Sequence, residues 1–234
     1  LIFMQTINNL QFPKIRELEE SGRFNEAIRE LRRYNIPDEL IKLYENNVKY
    51  LKDGLSRLRK GHKIYQSSEG FISDDEGLFE VMFNDYQTLR KNNTNHRKLG
   101  GKLEDIVEKA KLLSDPTTNI KPVIVDGLYE VEIAYSGIQE CPFEEKGFDG
   151  GSVKIKNLKT GKTTKVQTIS AHLIKEHGFF EGDVPYRVDP RDLIEVLEGS
   201  VKRKPENPYT FTNPFEKYRN PLEIHNPYTQ LKAA

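Results

Sequence analysis

The apolar residues of this chain repeat at two different spacings, and the change near residue 120 limits the fold more than any other feature. Over residues 1–119 they recur every three to four positions, which is the period of an α-helix. Over 120–200 they mostly alternate with polar residues, which is the period of a β-strand. Residues 201–234 contain almost no core-forming side chains. The sequence therefore predicts an α+β protein with an N-terminal helical domain, a small α+β domain and an extended tail.

The strongest helical signal runs from Leu40 to Leu58 in steps of three and four residues. It predicts one helix of about 22 residues beginning at Pro37, roughly 33 Å long. A second helix is predicted from Ser73 to Leu89, and we expect the two apolar faces to pack together. The segment Glu20–Ile28 resembles half of a tetratricopeptide repeat. No second copy follows about 34 residues later, so an ordinary helical hairpin is expected there.

The α+β region contains strand and turn signals in close succession. Alternation predicts strands at Pro122–Val125, Leu128–Tyr135 and Val153–Leu158, the last continuing through a turn into a β-hairpin. Short helices are predicted at Ala171–His177 and Pro190–Leu197, and a glycine follows each of them.

Charge, cysteine content and hydropathy exclude several classes of protein. Lys and Arg total 36 and Asp and Glu total 36, so the zero net charge removes the general electrostatic case for binding nucleic acid. The single cysteine excludes an intramolecular disulfide and any zinc site that needs two thiolates from this chain. No run of 18 apolar residues occurs, and the apolar opening is too short for a signal peptide. We therefore expect a cytoplasmic protein without membrane contact.

Two histidines of the α+β region raise the question of a metal site. Metal-binding pairs on a helix usually lie four positions apart, whereas His172 and His177 lie five apart, about 140° around the helix axis. The spacing predicts that they do not share an ion, and no metal or other cofactor is expected. His177 is instead expected to interact with the helix dipole, and His172 to be a partly buried or surface residue.

The single cysteine is the candidate nucleophile. Cys141 would need a base close to it, and His172 or His177 of the same predicted domain could supply one. Three nearby glutamates oppose thiolate formation, so we expect an unreactive thiol packed under Phe143. An enzyme of the α+β domain that uses Cys141 with either histidine remains an alternative function.

Two basic clusters, at residues 52–63 and 90–102, supply a second alternative, which is nucleic-acid binding. Cations at a helix end are also favoured by the helix dipole, without any ligand. The residues that would contact phosphates are Arg57, Arg59, Lys60, Lys63, Arg97 and Lys98.

The tail contains four Asn-Pro pairs at steps of six, seven and six residues, and an apolar residue follows each pair. Proline fixes φ and holds the preceding residue extended, so each unit presents its apolar side chain from a stiffened backbone. Such a segment loses less entropy on docking than a flexible one. The predicted function is therefore a non-catalytic interaction protein, an adaptor or a subunit of a larger assembly. Its protein partner, or its own oligomer, would be contacted by Tyr209, Phe215, Leu222 and Tyr228.

Overall fold

The computed structural model describes residues 12–34, 36–61, 68–114, 121–144 and 146–199, all within one compact unit. It confirms the predicted fold class, with helices concentrated in the N-terminal half and a small antiparallel sheet after them. The helices are α1 (Phe12–Glu20), α2 (Phe24–Leu31), α3 (Asp38–Val48), α4 (Leu78–Lys91), α5 (His96–Leu113), α6 (Ser170–His177) and α7 (Pro190–Glu198). The strands are β1 (Val123–Val125), β2 (Tyr129–Glu140), β3 (Gly147–Asn157) and β4 (Thr163–Gln167). None of the helices in these ranges is both long and apolar enough to cross a lipid bilayer.

The four strands form an antiparallel meander in the order β1-β2-β3-β4. Val131 pairs with Val123 on one side and with Ile155 on the other. Because side chains alternate across a strand, Tyr129, Val131 and Ile133 all lie on the buried face. Helices α5 and α7 share the core under that face.

The buried apolar residues form two cores, and each core contains residues from both predicted domains. The first gathers α1 to α4 with residues of the second region, including Cys141, Phe143 and Leu173. The second combines α5 with the sheet, α7 and Ile174 of α6. Neighbouring residues of α6 thus face opposite cores. The division into separate domains at residues 1–119 and 120–200 stays a prediction.

The single helix predicted over Leu40–Leu58 was wrong in length. Helix α3 ends at Val48, and a short 3-10 helix, Gly54–Leu58, follows after a turn. Gly54 has a φ of +67°, and a Cβ there would lie 2.5 Å from the carbonyl oxygen of Glu20. This close approach requires glycine, and the positive φ of Gly54 is incompatible with one continuous helix from Pro37 to Leu58. The predicted burial is confirmed, because Leu40, Leu51, Leu55 and Leu58 all lie in the first core with most of the α4 face.

The second and third strands are longer than the alternation predicted. After an irregularity between Tyr135 and Ile138, pairing continues to Glu140 opposite Gly147. The connection between β2 and β3 is thereby reduced to Cys141–Lys146, which the hydrogen bond from Cys141 N to Lys146 O closes at 3.0 Å. Cys141 consequently sits at the base of a tight hairpin loop.

Candidate metal centre

Four side chains with metal-binding atoms meet beside the β2–β3 loop. Cys141 and Glu144 come from that loop, and His172 and His177 come from α6. One ligand atom from each lies within 4.8 Å of the other three. Both histidines and the cysteine are buried, whereas the Glu144 side chain is 31% exposed. The fold therefore assembles a thiol, two imidazoles and a carboxylate around one point.

The expectation that His172 and His177 cannot converge was wrong. Their Nε2 atoms lie 3.2 Å apart, and the two rings meet edge to face with centroids 5.0 Å apart. The spacing argument compared Cα directions, but the imidazole Nε2 stands at the end of a side chain long enough to reach around the helix. His177 is the last residue of α6, and its side chain tilts back towards the turn that carries His172.

Three of the distances between ligand atoms, 3.2, 3.5 and 3.9 Å, lie close to those around a four-coordinate ion. In tetrahedral zinc sites the bonds of about 2.0–2.3 Å place neighbouring ligand atoms roughly 3.3–3.8 Å apart. His177 Nε2 lies 3.5 Å from Cys141 Sγ and 3.9 Å from Glu144 Oε1. His172 Nε2 is closer to Glu144 Oε1, at 2.6 Å, which is a hydrogen-bond distance that a bound ion would have to widen.

Asn47 of α3 orients one of the two imidazoles. Its Nδ2 donates to the backbone oxygen of His177 at 2.9 Å and faces the sulfur of Met82 at 3.5 Å. These two acceptors fix the amide orientation, so Oδ1 must accept from Nδ1–H of His177, also at 2.9 Å. The lone pair of His177 Nε2 is therefore directed at the cluster. Such an outer hydrogen bond is the usual support of a metal-binding histidine.

Two further contacts hold the loop that carries Cys141 and Glu144. The Arg57 guanidinium donates to the backbone oxygens of both residues, at 3.4 and 3.3 Å. The backbone N–H of Phe143 points to Cys141 Sγ at 3.4 Å, an interaction that favours a thiolate. The helical region thus contributes the support, and the second region contributes the four candidate ligands.

Burial controls the protonation of the three most enclosed groups. It raises the pKa of the Cys141 thiol to about 12, an effect to which the Glu144 charge adds. It lowers the pKa of His177 to about 3, with the neighbouring His172 and His96 acting in the same direction. Burial also lowers the pKa of His172, although the charge of Glu144 opposes this. Both imidazoles are neutral at pH 7, as metal ligands must be.

A cleft of about 530 Å³ opens beside the cluster. Glu144, His172 and His177 belong to its wall, whereas Cys141 lies behind them. The other lining residues are Asn46, Lys49, Tyr50, Glu104, Lys146, Phe148, Lys175 and Glu176. The centre is therefore enclosed on its thiol side and open on its carboxylate side.

Most of the described candidate nucleic-acid contacts have partners within the protein. Arg57 holds the β2–β3 loop, Arg59 pairs with Glu20, and Lys60 pairs with Glu69 at 2.7 Å. Lys98 pairs with Glu198 at 2.6 Å, and Arg97 is exposed. Lys63 lies outside the described residues. Arg57, Arg59 and Lys60 therefore each have a partner within the protein, and nucleic-acid binding stays an untested alternative.

The four tail anchors, Tyr209, Phe215, Leu222 and Tyr228, also lie outside the described residues. Binding of a partner through them stays a prediction.

Sequence reasoning considered Cys141 and both histidines but missed two members of the site. Glu144 was treated only as a charge that disfavours a thiolate, although its position three residues after Cys141 suits a shared loop. Asn47 gave no signal, because it lies 130 residues from its partner His177.

Comparison with known proteins gives no relative from which a role for this site could be transferred. No protein-family model, no curated protein and no solved structure matches the chain.

Proposed function

We propose that this protein binds one divalent transition-metal ion through Cys141, Glu144, His172 and His177. The observation that carries the proposal is the convergence of these four ligand atoms within 4.8 Å. Three of the ligands are buried, and Asn47 aims one of them, which is how a metal ligand is usually supported.

Zinc fits the donor set best. A thiolate and two imidazoles are the ligands that Zn²⁺ prefers, and a carboxylate is its usual oxygen ligand. Charge balance supports the same ion, because one thiolate and one carboxylate neutralise a divalent cation. A neutral centre costs much less to bury than an isolated charge. The ion would join the β2–β3 loop to α6 and so fix two elements that meet at the first core.

A thiol catalyst is the second candidate, and one specific distance favours it. Cys141 Sγ lies 3.5 Å from His177 Nε2, and Asn47 orients His177 as the third member of a catalytic triad would. Against it, the thiol is fully buried and its pKa is raised to about 12, whereas a catalytic thiol needs a lowered pKa and access to substrate. Metal binding resolves this conflict, because coordination itself removes the thiol proton.

The test is metal content. The full chain is purified without chelator, and zinc per protein is measured by elemental analysis, with an expected stoichiometry of about one. Cys141→Ser and His177→Gln should lose the ion. His96→Gln is the matched control, because His96 is a half-buried histidine that contacts the backbone of α6 without belonging to the cluster.

Iodoacetamide labelling separates the two candidates. A zinc-bound thiol should be labelled slowly until a chelator removes the ion. Rapid labelling of metal-free folded protein, with no zinc retained after reconstitution, would favour the catalytic thiol and contradict the metal proposal.

A further inference from the structure

The cleft beside the metal centre has three ligand residues on its wall and the metal-binding point behind them. Its volume of about 530 Å³ lies within the usual range for small-molecule sites, about 300–1,000 Å³. Glu144, the most exposed of the four candidate ligands, faces this space. A small molecule in the cleft could therefore reach the ion from the carboxylate side.

The charges around the cleft favour an anion once the metal is bound. The ion would neutralise Glu144, which leaves Lys49, Lys146 and Lys175 facing Glu104 and Glu176. Lys175 already pairs with both glutamates, at 2.8 and 3.4 Å. Within the described residues, Lys49 and Lys146 have no acidic partner. Lys49 contacts the side-chain oxygen of Asn46, and Lys146 lies over the ring of Phe148.

Aromatic side chains add an apolar surface to the same cleft. Phe148 stacks on the His172 ring with centroids 4.3 Å apart, so its position is fixed by a candidate metal ligand. Tyr50 also lines the cleft and is 44% exposed. Aromatic residues exposed in a concave site provide contact area for a planar ligand.

We infer that the cleft binds a small organic oxyanion, a carboxylate or a phosphate monoester with a planar group, through Lys49, Lys146 and the metal. This inference rests on the metal centre proposed above. The ammonium groups supply charge-assisted hydrogen bonds, and Phe148 and Tyr50 contact the planar group. The ion would supply a Lewis-acidic contact on the Glu144 side by taking the anion as a fifth ligand beside the four protein ligands.

The test uses the full chain loaded with Co²⁺, because the visible bands of a cobalt–thiolate centre report its coordination. Benzoate and phenylphosphonate are titrated separately, so that the two arms distinguish a carboxylate from a phosphate-like group. We expect a saturable band shift with at least one of them.

The double variant Lys49→Gln and Lys146→Gln should bind that anion at least about tenfold more weakly, because it loses two charge-assisted contacts. Lys154→Gln, an exposed lysine of β3 outside the cleft, should bind it unchanged.

The outcomes separate this inference from the metal proposal. If cobalt binds but neither anion shifts its bands, or if the double variant binds as tightly as the parent, the anion site is wrong and the metal centre stands. If cobalt does not bind at all, both are wrong. If the anion binds equally well to the metal-free protein, the inferred contact between the anion and the ion is wrong.

Discussion

At the scale of single residues, Asn47 shows how a side chain outside the ligand set prepares it. Its Oδ1 accepts a hydrogen bond from Nδ1–H of His177, and its Nδ2 donates one to the backbone oxygen of the same residue. Together these bonds fix the ring, its tautomer and the last turn of α6. Without them the imidazole could rotate or present its protonated nitrogen to the ion.

We predict that Asn47→Ala lowers zinc affinity about 10- to 100-fold while all four ligands remain, because the outer hydrogen bond is lost. Asn47→Asp keeps the acceptor oxygen and should recover most of that affinity. Competition with a chromophoric chelator measures the dissociation constant of the metal.

Asn46→Ala is the matched control, because Asn46 is the neighbouring exposed asparagine and, among the described residues, its side chain has a hydrogen bond to Lys49 alone. Unchanged zinc affinity in Asn47→Ala would show that Asn47 does not position the ligand.

At the scale of elements, α6 depends on how closely α5 approaches it. Gly100 lies in the middle of α5, and a Cβ there would stand 2.6 Å from the Cα of Lys175 in α6. Gly101 is its neighbour, and a Cβ there would have nothing within 4 Å. The two glycines therefore have different roles: the first permits helix contact, and the second only weakens the helix.

We predict opposite effects of alanine at these two positions. Gly100→Ala should destabilise the protein by about 1–3 kcal/mol, because the backbone of α6 must move away. Gly101→Ala should stabilise it by up to about 1 kcal/mol, which is the helix-propensity gain of alanine over glycine.

Urea denaturation of both variants beside the parent measures the two changes in unfolding free energy. Stabilisation by Gly100→Ala would show that α5 and α6 are not in this close contact.

At the scale of the whole molecule, α6 contributes residues to both cores. The protein also buries the side chains of Glu19 and Glu181. Glu19 accepts hydrogen bonds from Tyr44 and from the backbone of Phe79, but its Oε2 has no partner among the described residues. Glu181 Oε2 is likewise buried and unpartnered there. Burial raises the pKa of Glu19 to about 7 and that of Glu181 to about 8.

These pKa values predict that stability falls as pH rises from 6.5 to 8.5. An unfolded glutamate has lost its proton well below pH 6.5, whereas the folded protein keeps these protons up to about pH 7 and 8. The folded state therefore binds more protons, and each group lowers the unfolding free energy by up to about 1.4 kcal/mol per pH unit until it ionises. Near pH 6.5 an unfolded histidine is about half protonated, so the histidines with a lowered folded pKa oppose this slope. By about pH 7.5 an unfolded histidine is mostly neutral, and the two glutamates dominate the slope.

Glu181→Gln should make the unfolding free energy less dependent on pH between pH 7 and 8.5, since glutamine cannot ionise. Thermal unfolding of the parent and the variant across this range measures the slope. A Glu181→Gln slope as steep as that of the parent would mean that Glu181 does not hold its proton in the folded state. Glu195→Gln, at a partly exposed residue for which Lys162 is the ion-pair partner, is the control.

The sequence by itself determined the fold class and the ends of the best-marked elements. The change of apolar period near residue 120 predicted helices followed by strands, because the period reflects which face of an element is buried. Helix α7 begins after Asp189, whose side chain accepts from Arg191 N, and ends at Gly199 with a φ of +80°. Both ends could be predicted because capping depends only on neighbouring residues.

Only the tertiary structure decided that the predicted helix is not continuous and which side chains form the candidate metal centre. One helix to Leu58 is impossible because Gly54 has a positive φ and packs against the backbone of Glu20, a contact that helix propensity does not encode. Cys141 approaches His177 only because β2 and β3 extend far enough to tighten the loop between them. Asn47 reaches His177 across 130 residues of sequence. Spacing along one helix describes Cα directions, whereas a metal centre depends on where the ends of long side chains meet.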